Sequence, residues 1–412
     1  MSGGETRRPN VLVIIADQLR ADHLGFAGNQ VVRTPHLDRL AAQSMVFTEA
    51  TVTNPTCMPN RASLLTGRWP STHGTRCNGI TMDPDANNLV KQLSCGGYLT
   101  RAVGKLHHQN MGWDFEPIQR AEIEATDPLL LDPRSSNANT QSRPEGWDQW
   151  ENAAAHAEDF IPLPEGYYGY QQVDLVIGHG DRPGGHYVHW ARERGIDPVA
   201  VGGAENAPKR LNTWDQVYQT GIPAELHPSS YVGERAEAHL AEFAESAEPF
   251  FMFVSFPDPH HPFSPPEGYA DMYSPDEVEL PIGFYQDHAK SPSHIHRMFD
   301  RRGEPNEDPT MTFAADEAQY RQAAAAHRPQ QPGAHADPPD RGGERVAHRE
   351  HDPPQHDPPL AHLHAHRRVA GGARRRAVGV GGHHGVNTVG LAGAAEVLDG
   401  LAGAIRSLRH DG

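Results

Sequence analysis

Three apolar runs of strand length, each ending in residues able to do chemistry, constrain this chain more than any other feature. Residues 11–15, Val-Leu-Val-Ile-Ile, follow Pro9-Asn10 and lead into Ala16-Asp17-Gln18. Residues 99–103 lead into Gly104-Lys105-Leu106-His107, and residues 250–256, Phe-Phe-Met-Phe-Val-Ser-Phe, lead into Pro257-Asp258-Pro259-His260-His261-Pro262. Continuous apolar runs of this length suit strands buried on both faces, the condition of a parallel sheet. Helical stretches between them, at 36–44 after Thr34-Pro35, at 88–94 before Gly96-Gly97, and from Ser229 or Ser230 to about 246, give the order β, α, β, α. That order predicts an α/β fold, a doubly wound and mostly parallel sheet with helices on both faces. Open sheets of this kind bind ligands at the carboxyl ends of their strands, so Asp17, Lys105, His107 and His260 are expected on one rim.

The run Cys57-Met58-Pro59-Asn60-Arg61-Ala62-Ser63-Leu64-Leu65-Thr66-Gly67-Arg68 adds a helix to that rim. Pro59 suits a first helical turn and Gly67 a C-terminal stop. Cys57 then sits at a helix N-terminus, where unpaired N–H groups and the helix dipole favour a bound anion.

The C-x-P-x-R pattern of Cys57, Pro59 and Arg61 resembles the sulfatase signature, and Gly104-Lys105-Leu106-His107 and the proline-histidine run at 257–262 resemble further elements of that family. The resemblance spans residues 9 to about 322 and implies an alkaline-phosphatase-like fold. It implies that a separate formylglycine-generating enzyme oxidises Cys57 to formylglycine, whose hydrate attacks a small-molecule sulfate ester. By the same resemblance Asp17, Gln18 and residue 57 would hold a divalent cation, calcium first, with magnesium or manganese as alternatives. Arg61 would stabilise the hydrate, Lys105 and His260 would neutralise charge on the ester, and His107 would take a proton from the second hydroxyl. Sulfatases carry an aspartate pair where this chain has Asp17-Gln18, and that pairing also resembles the phosphonate monoester hydrolases. Three readings follow: a sulfuric ester hydrolase, a phosphonate or phosphodiester hydrolase on the same scaffold, and a catalytically inactive relative.

Composition narrows the setting. The 412 residues carry 36 Lys and Arg against 53 Asp and Glu, a formal net charge of -17, which argues against nucleic acid as a partner. Three cysteines are too few for a disulfide framework. The apolar stretch 11–16 is too short for a signal peptide or membrane helix, so neither a membrane nor export is expected, and the cytoplasm is. Residues 127 to about 228, rich in Gly, Pro, Trp and His, read as an insertion over the rim, with His179, His186 and His189 as surface residues. A catalytic domain is expected over 1–322. Beyond Tyr320 no aromatic residue follows, and 323–412 reads as a Pro, His, Arg, Gly and Ala tail without a core, disordered apart from a weak helix near 398–408. The family's second metal-binding pair, D-H-G, is expected to be missing through truncation or a shifted frame. Gly382-His383-His384-Gly385 is only an echo of it.

Overall fold

The computed structural model describes residues 8–109, 144–305, 314–327 and 377–378. Five strands form its main sheet: β1 (Val11–Ala16), β2 (Leu99–Lys105), β3 (Gln172–Ile177), β4 (Gly184–Gly185) and β5 (Phe250–Phe256), in the spatial order β1-β5-β2-β3-β4. The first four neighbours run parallel, and only the two-residue β4 runs antiparallel to β3. Register places Ala16 beside Phe256, Gly104 beside Ser255 and Lys105 beside Val176. The carboxyl ends of β1, β5, β2 and β3 therefore share one rim.

Side chains alternate across each strand, which divides the core into two layers. On one face Phe250, Met252, Val254 and Phe256 join Val103 and Val176 beneath α4 (His186–Glu193) and α5 (Pro228–Ala244). On the other, Phe251 and Phe253 join Ala102, Leu175 and Ile177 beneath α2 (Cys57–Thr66), α3 (Leu89–Cys95) and the rings of Trp147, Tyr167, Tyr168 and Tyr170. All seven β5 side chains are buried, as a continuous apolar run demands. The helix α1 (Pro35–Ala41) lies after β1, and Asn88 caps α3 by accepting from the Lys91 N–H at 3.0 Å. Among the described residues no helix is long and apolar enough to cross a membrane.

Three expectations are corrected. Residues 127–228 are not simply an insertion, because 172–177 supply a sheet strand. Asp174 breaks the apolar pattern of that strand, and its carboxylate is matched by Arg235 at 3.0 Å and by His239, both on α5. The cap of α5 is His227, whose Nδ1 accepts from the Ser229 N–H, rather than Ser229 or Ser230. The boundary at 322 falls inside α6 (Glu317–His327), where Ala323, Ala324, Ala325 and Ala326 are buried. Alanines offer little apolar area, yet they allow close approach, here to Tyr273 and Val278 on one side and Val217 on the other. Of the remaining tail, Ala377–Val378 pairs in parallel with Met45–Val46. The predicted helix near 398–408 and the Gly382-His383-His384-Gly385 segment lie outside the described residues.

Candidate active site

Each rim residue is set by local backbone. Asp17 follows β1, and its N–H donates to the carbonyls of Phe256 at 3.1 Å and Asp258 at 3.2 Å, which ties it to the end of β5. Gln18 follows with φ 60°. Gly104 precedes Lys105 with φ 95°, and a Cβ there would lie 1.9 Å from the Ser255 carbonyl oxygen, so only glycine fits. Cys57 opens α2, Met58 N–H donates to Asn78 Oδ1 at 3.1 Å, and Gly67 closes the helix with φ 66°. Arg61, one turn after Cys57 and only 2% exposed, donates from Nη1 to the Lys105 carbonyl at 2.6 Å and to Ser255 Oγ at 2.9 Å. Its Nη2 lies 3.7 Å from Asp17 Oδ2.

These groups converge on the Asp17 carboxylate, which is 6% exposed. Lys105 Nζ donates to Asp17 Oδ2 and to His179 Nε2, and stands 3.8 Å from Cys57 Sγ. Cys57 Sγ is 3.5 Å from Asp17 Oδ1, and His179 Nε2 is 3.6 Å from Asp17 Oδ2. The His179 ring stacks on His260 with centroids 3.5 Å apart. His260 Nδ1 donates to the His261 carbonyl at 2.7 Å, leaving Nε2 with the lone pair. His107 is buried close by, with φ 54°.

Burial alone would raise the Asp17 pKa, but Lys105 and Arg61 hold the carboxyl well below the usual carboxylate range. Burial and the Asp17 carboxylate push the Cys57 thiol up, against the pull of Lys105. Burial, together with Lys105, keeps His107 and His179 neutral, and it takes His260 down to about 3. The site therefore holds two fixed cations, one fixed anion and three neutral imidazoles.

His179 is a correction to the sequence reading, which placed it on the surface. The turn Gly178-His179-Gly180-Asp181 is held inward by buried Asp181, which accepts from Tyr218 Oη at 2.6 Å, Thr220 Oγ1 at 2.8 Å and Gly203 N–H at 3.0 Å. Gly180 has φ 54° and would place a Cβ 2.7 Å from the Pro262 carbonyl, so this turn presses on the loop that carries His260. The signal was available, since His179 follows a strand end as Asp17, Lys105 and His260 do. His186 is buried too, but in a structural role: Nε2 donates to Ile161 O at 3.0 Å and Nδ1 accepts from Leu175 N–H at 3.2 Å. His189, half-buried, donates to His156 O at 2.9 Å.

Asp17, Cys57, His179 and His260 form a group that could hold a metal ion, with one donor atom from each lying within 4.8 Å of the others. Calcium and magnesium call for six or more oxygen ligands. Among the described residues this group offers the Asp17 carboxylate, one sulfur and two ring nitrogens, so while residue 57 is a cysteine the donors are too poor in oxygen to fit the hard cation that the resemblance implies.

Residues 9–125, which contain Asp17, Cys57, Arg61, Lys105 and His107, match the family described as Sulfatase. The chain is 29% identical over 278 residues to an ulvan-active sulfatase of Formosa agariphila, an alignment covering 67% of this chain and 40% of that protein. It is 26% identical over 283 residues to an arylsulfatase of Clostridium perfringens, covering 67% of this chain and 48% of that protein. The chain thus spans less than half the length of either relative. The phosphonate monoester hydrolase of Agrobacterium radiobacter shares the fold with a TM-score of 0.52 and 22% identity, over 78% of this chain and 56% of that one.

Proposed function

We propose that this chain, which belongs to the sulfatase family and has its alkaline-phosphatase-like fold, hydrolyses sulfuric esters at the rim around Cys57. The observation that carries the reading is the placement of Cys57 at the start of α2, with Lys105 Nζ 3.8 Å from its sulfur and Arg61 one turn behind it. Two fixed cations against one carboxylate leave a net positive pocket at a helix N-terminus, the electrostatics an anionic ester requires.

Conversion of Cys57 to formylglycine supplies the nucleophilic oxygen. The other residues do the positioning. Lys105, already bonded to Asp17 and His179, would hold one ester oxygen, and Arg61 would hold residue 57 through the bonds that fix its own guanidinium. His260, stacked on His179 and bonded through Nδ1 to the His261 carbonyl, would act on the leaving group through Nε2. His107, whose pKa burial and Lys105 hold well below the usual imidazole range, is unprotonated near neutral pH and would act as a weak base toward the second hydroxyl. The partners in this reading are a small-molecule sulfate ester and a formylglycine-generating enzyme, with neither nucleic acid nor membrane among them. Cys77 and Cys95 are exposed free thiols, which suits the reducing cytoplasm.

Gln18 favours a second reading, a phosphonate monoester or phosphodiester hydrolase, because the Asp17-Gln18 pairing resembles the phosphonate monoester hydrolases, one of which shares this fold. Coexpression with a formylglycine-generating enzyme, peptide mass spectrometry at residue 57, and assays with an aryl sulfate and an aryl phosphonate ester test both. Sulfate release that needs the aldehyde and vanishes in Cys57→Ala is expected. Complete conversion of Cys57 without release from the sulfate ester refutes the first reading, and release from the phosphonate alone establishes the second.

A further inference from the structure

The four-donor group that fails a hard cation has the composition of a borderline one. Zinc takes sulfur at about 2.3 Å and imidazole nitrogen or carboxylate oxygen at about 2.0–2.2 Å, which sets the edges of its tetrahedron at about 3.3–3.7 Å. Two edges that meet at one vertex, Asp17 Oδ2, are already close to that length: Cys57 Sγ at 3.8 Å and His179 Nε2 at 3.6 Å. The whole group lies within 4.8 Å, so closing it needs shifts of about 1 Å and a splaying of the stacked rings.

Orientation supports the same conclusion. His260 gives its Nδ1 proton to the His261 carbonyl, the backbone contact that commonly fixes a metal-bound imidazole, so its Nε2 lone pair is the one on offer. His179 Nε2 accepts from the Lys105 ammonium, so its lone pair points to the Nζ that also bonds Asp17. Lys105 Nζ bonds both Asp17 and His179 and thereby stands where a cation between them would stand.

We propose that, while Cys57 is unmodified, Asp17, Cys57, His179 and His260 bind Zn2+ in competition with the Lys105 ammonium. Binding exchanges the Cys57 thiol proton for a metal–sulfur bond, and the proton leaves to solvent. Lys105 swings away on its flexible stem. The site does not depend on the hydrolytic reading, which uses residue 57 only after its sulfur is gone.

The test uses full-length protein made without a formylglycine-generating enzyme, with Cys57 confirmed unmodified by mass spectrometry. Zn2+ is titrated calorimetrically, and Co2+ is added as a coloured probe in a Cys77→Ser/Cys95→Ser background. In that background a thiolate-to-cobalt charge-transfer band reports on Cys57 alone, and the tail histidines contribute nothing to it. One tight equivalent and that band are expected, with affinity falling more than about tenfold in Cys57→Ser and in His179→Ala. Lys105→Met, which removes the competing charge, should tighten binding. Absence of the band, or zinc affinity unchanged by Cys57→Ser and His179→Ala, overturns the proposal. Should Lys105→Met fail to fold, those two variants still decide it. A failure here leaves sulfate release by the converted enzyme untouched.

Discussion

Replacing Lys105 with methionine isolates what holds the rim together. The lysine is fully buried and is the closest cation to Asp17 Oδ2, and methionine fills similar space without charge. Its loss leaves the Asp17 carboxylate, 6% exposed, with Arg61 Nη2 at 3.7 Å as its nearest fixed positive charge. Breaking a buried pair by removing one partner costs about 3–5 kcal/mol, and the surviving Arg61 contact puts this case at the lower end, about 3 kcal/mol at pH 7. That is a large share of the roughly 5–15 kcal/mol that typically separates folded from unfolded states. The pH dependence carries a sign. In the parent, Asp17 titrates below its unfolded value, so its contribution is complete above about pH 4 and fades as pH falls through the lower folded value. In the variant, burial without Lys105 drives the carboxyl up, so the penalty exists only while the group is charged and shrinks as pH falls toward about 4. Urea denaturation followed by tryptophan fluorescence at pH 7 and near pH 5 measures both effects, and Asp17→Asn in the Lys105→Met background should recover most of the loss. A loss below about 1 kcal/mol, or a double variant no better than the single, would show that the pair is not what stabilises the rim.

Gly104→Ala should cost more than about 3 kcal/mol in thermal unfolding, since a left-handed backbone is joined by a Cβ 1.9 Å from the Ser255 carbonyl; a change under about 1 kcal/mol would contradict the close approach. Glu151 is buried against Tyr167 Oη at 2.6 Å and burial pushes its pKa up to about 7. Its folded value lies above its unfolded one, so its contribution to stability should be complete below about pH 4.5 and be lost, by about 3 kcal/mol, as pH rises through 7. Glu151→Gln should remove that decline, and a stability difference between parent and variant that does not change between about pH 4.5 and 8 would refute the shift. Ala325→Asp should cost more than about 2 kcal/mol and strip hydrogen-exchange protection from residues 317–327, because it places a charge where a 1% exposed methyl packs. Fast exchange of that segment in the parent would restore the boundary at 322.

The three apolar strands, their shared rim and the Cys57 helix were legible because each leaves a physical mark on composition. A strand buried on both faces must be apolar throughout, and a helix between Pro59 and Gly67 announces both its ends. What escaped was structure stabilised from a distance. β3 carries Gln172 and Asp174, and the partners that let Asp174 sit beneath a helix, Arg235 and His239, lie about sixty residues later in the chain. His179 looked like a loop histidine because its anchor, Asp181, is satisfied by Tyr218, Thr220 and Gly203, none of which forms a local motif with it. The alanines of α6 escaped for the opposite reason: their packing depends on smallness, which reads as the absence of a core.

If the rim binds a cation as proposed, the chemical state of residue 57 would set which cation it prefers. While residue 57 keeps its sulfur, burial and Asp17 hold the thiol protonated, and only a metal with affinity for thiolate can displace that proton. Oxidation to an aldehyde hydrate would exchange the sulfur for oxygen, leaving Asp17 and the new hydroxyls as hard donors and weakening any hold on zinc. The ratio of zinc to calcium affinity should therefore fall on conversion of Cys57, although no residue other than 57 has changed. Lys105 would bear on both forms, since its ammonium bonds Asp17 and His179 and would have to move before either ion could enter between them. Lys105→Met should accordingly raise the affinity of the unmodified and the converted protein alike while leaving their preference between the two ions in place. A preference that did not move with conversion would mean that the sulfur takes no part in binding the ion.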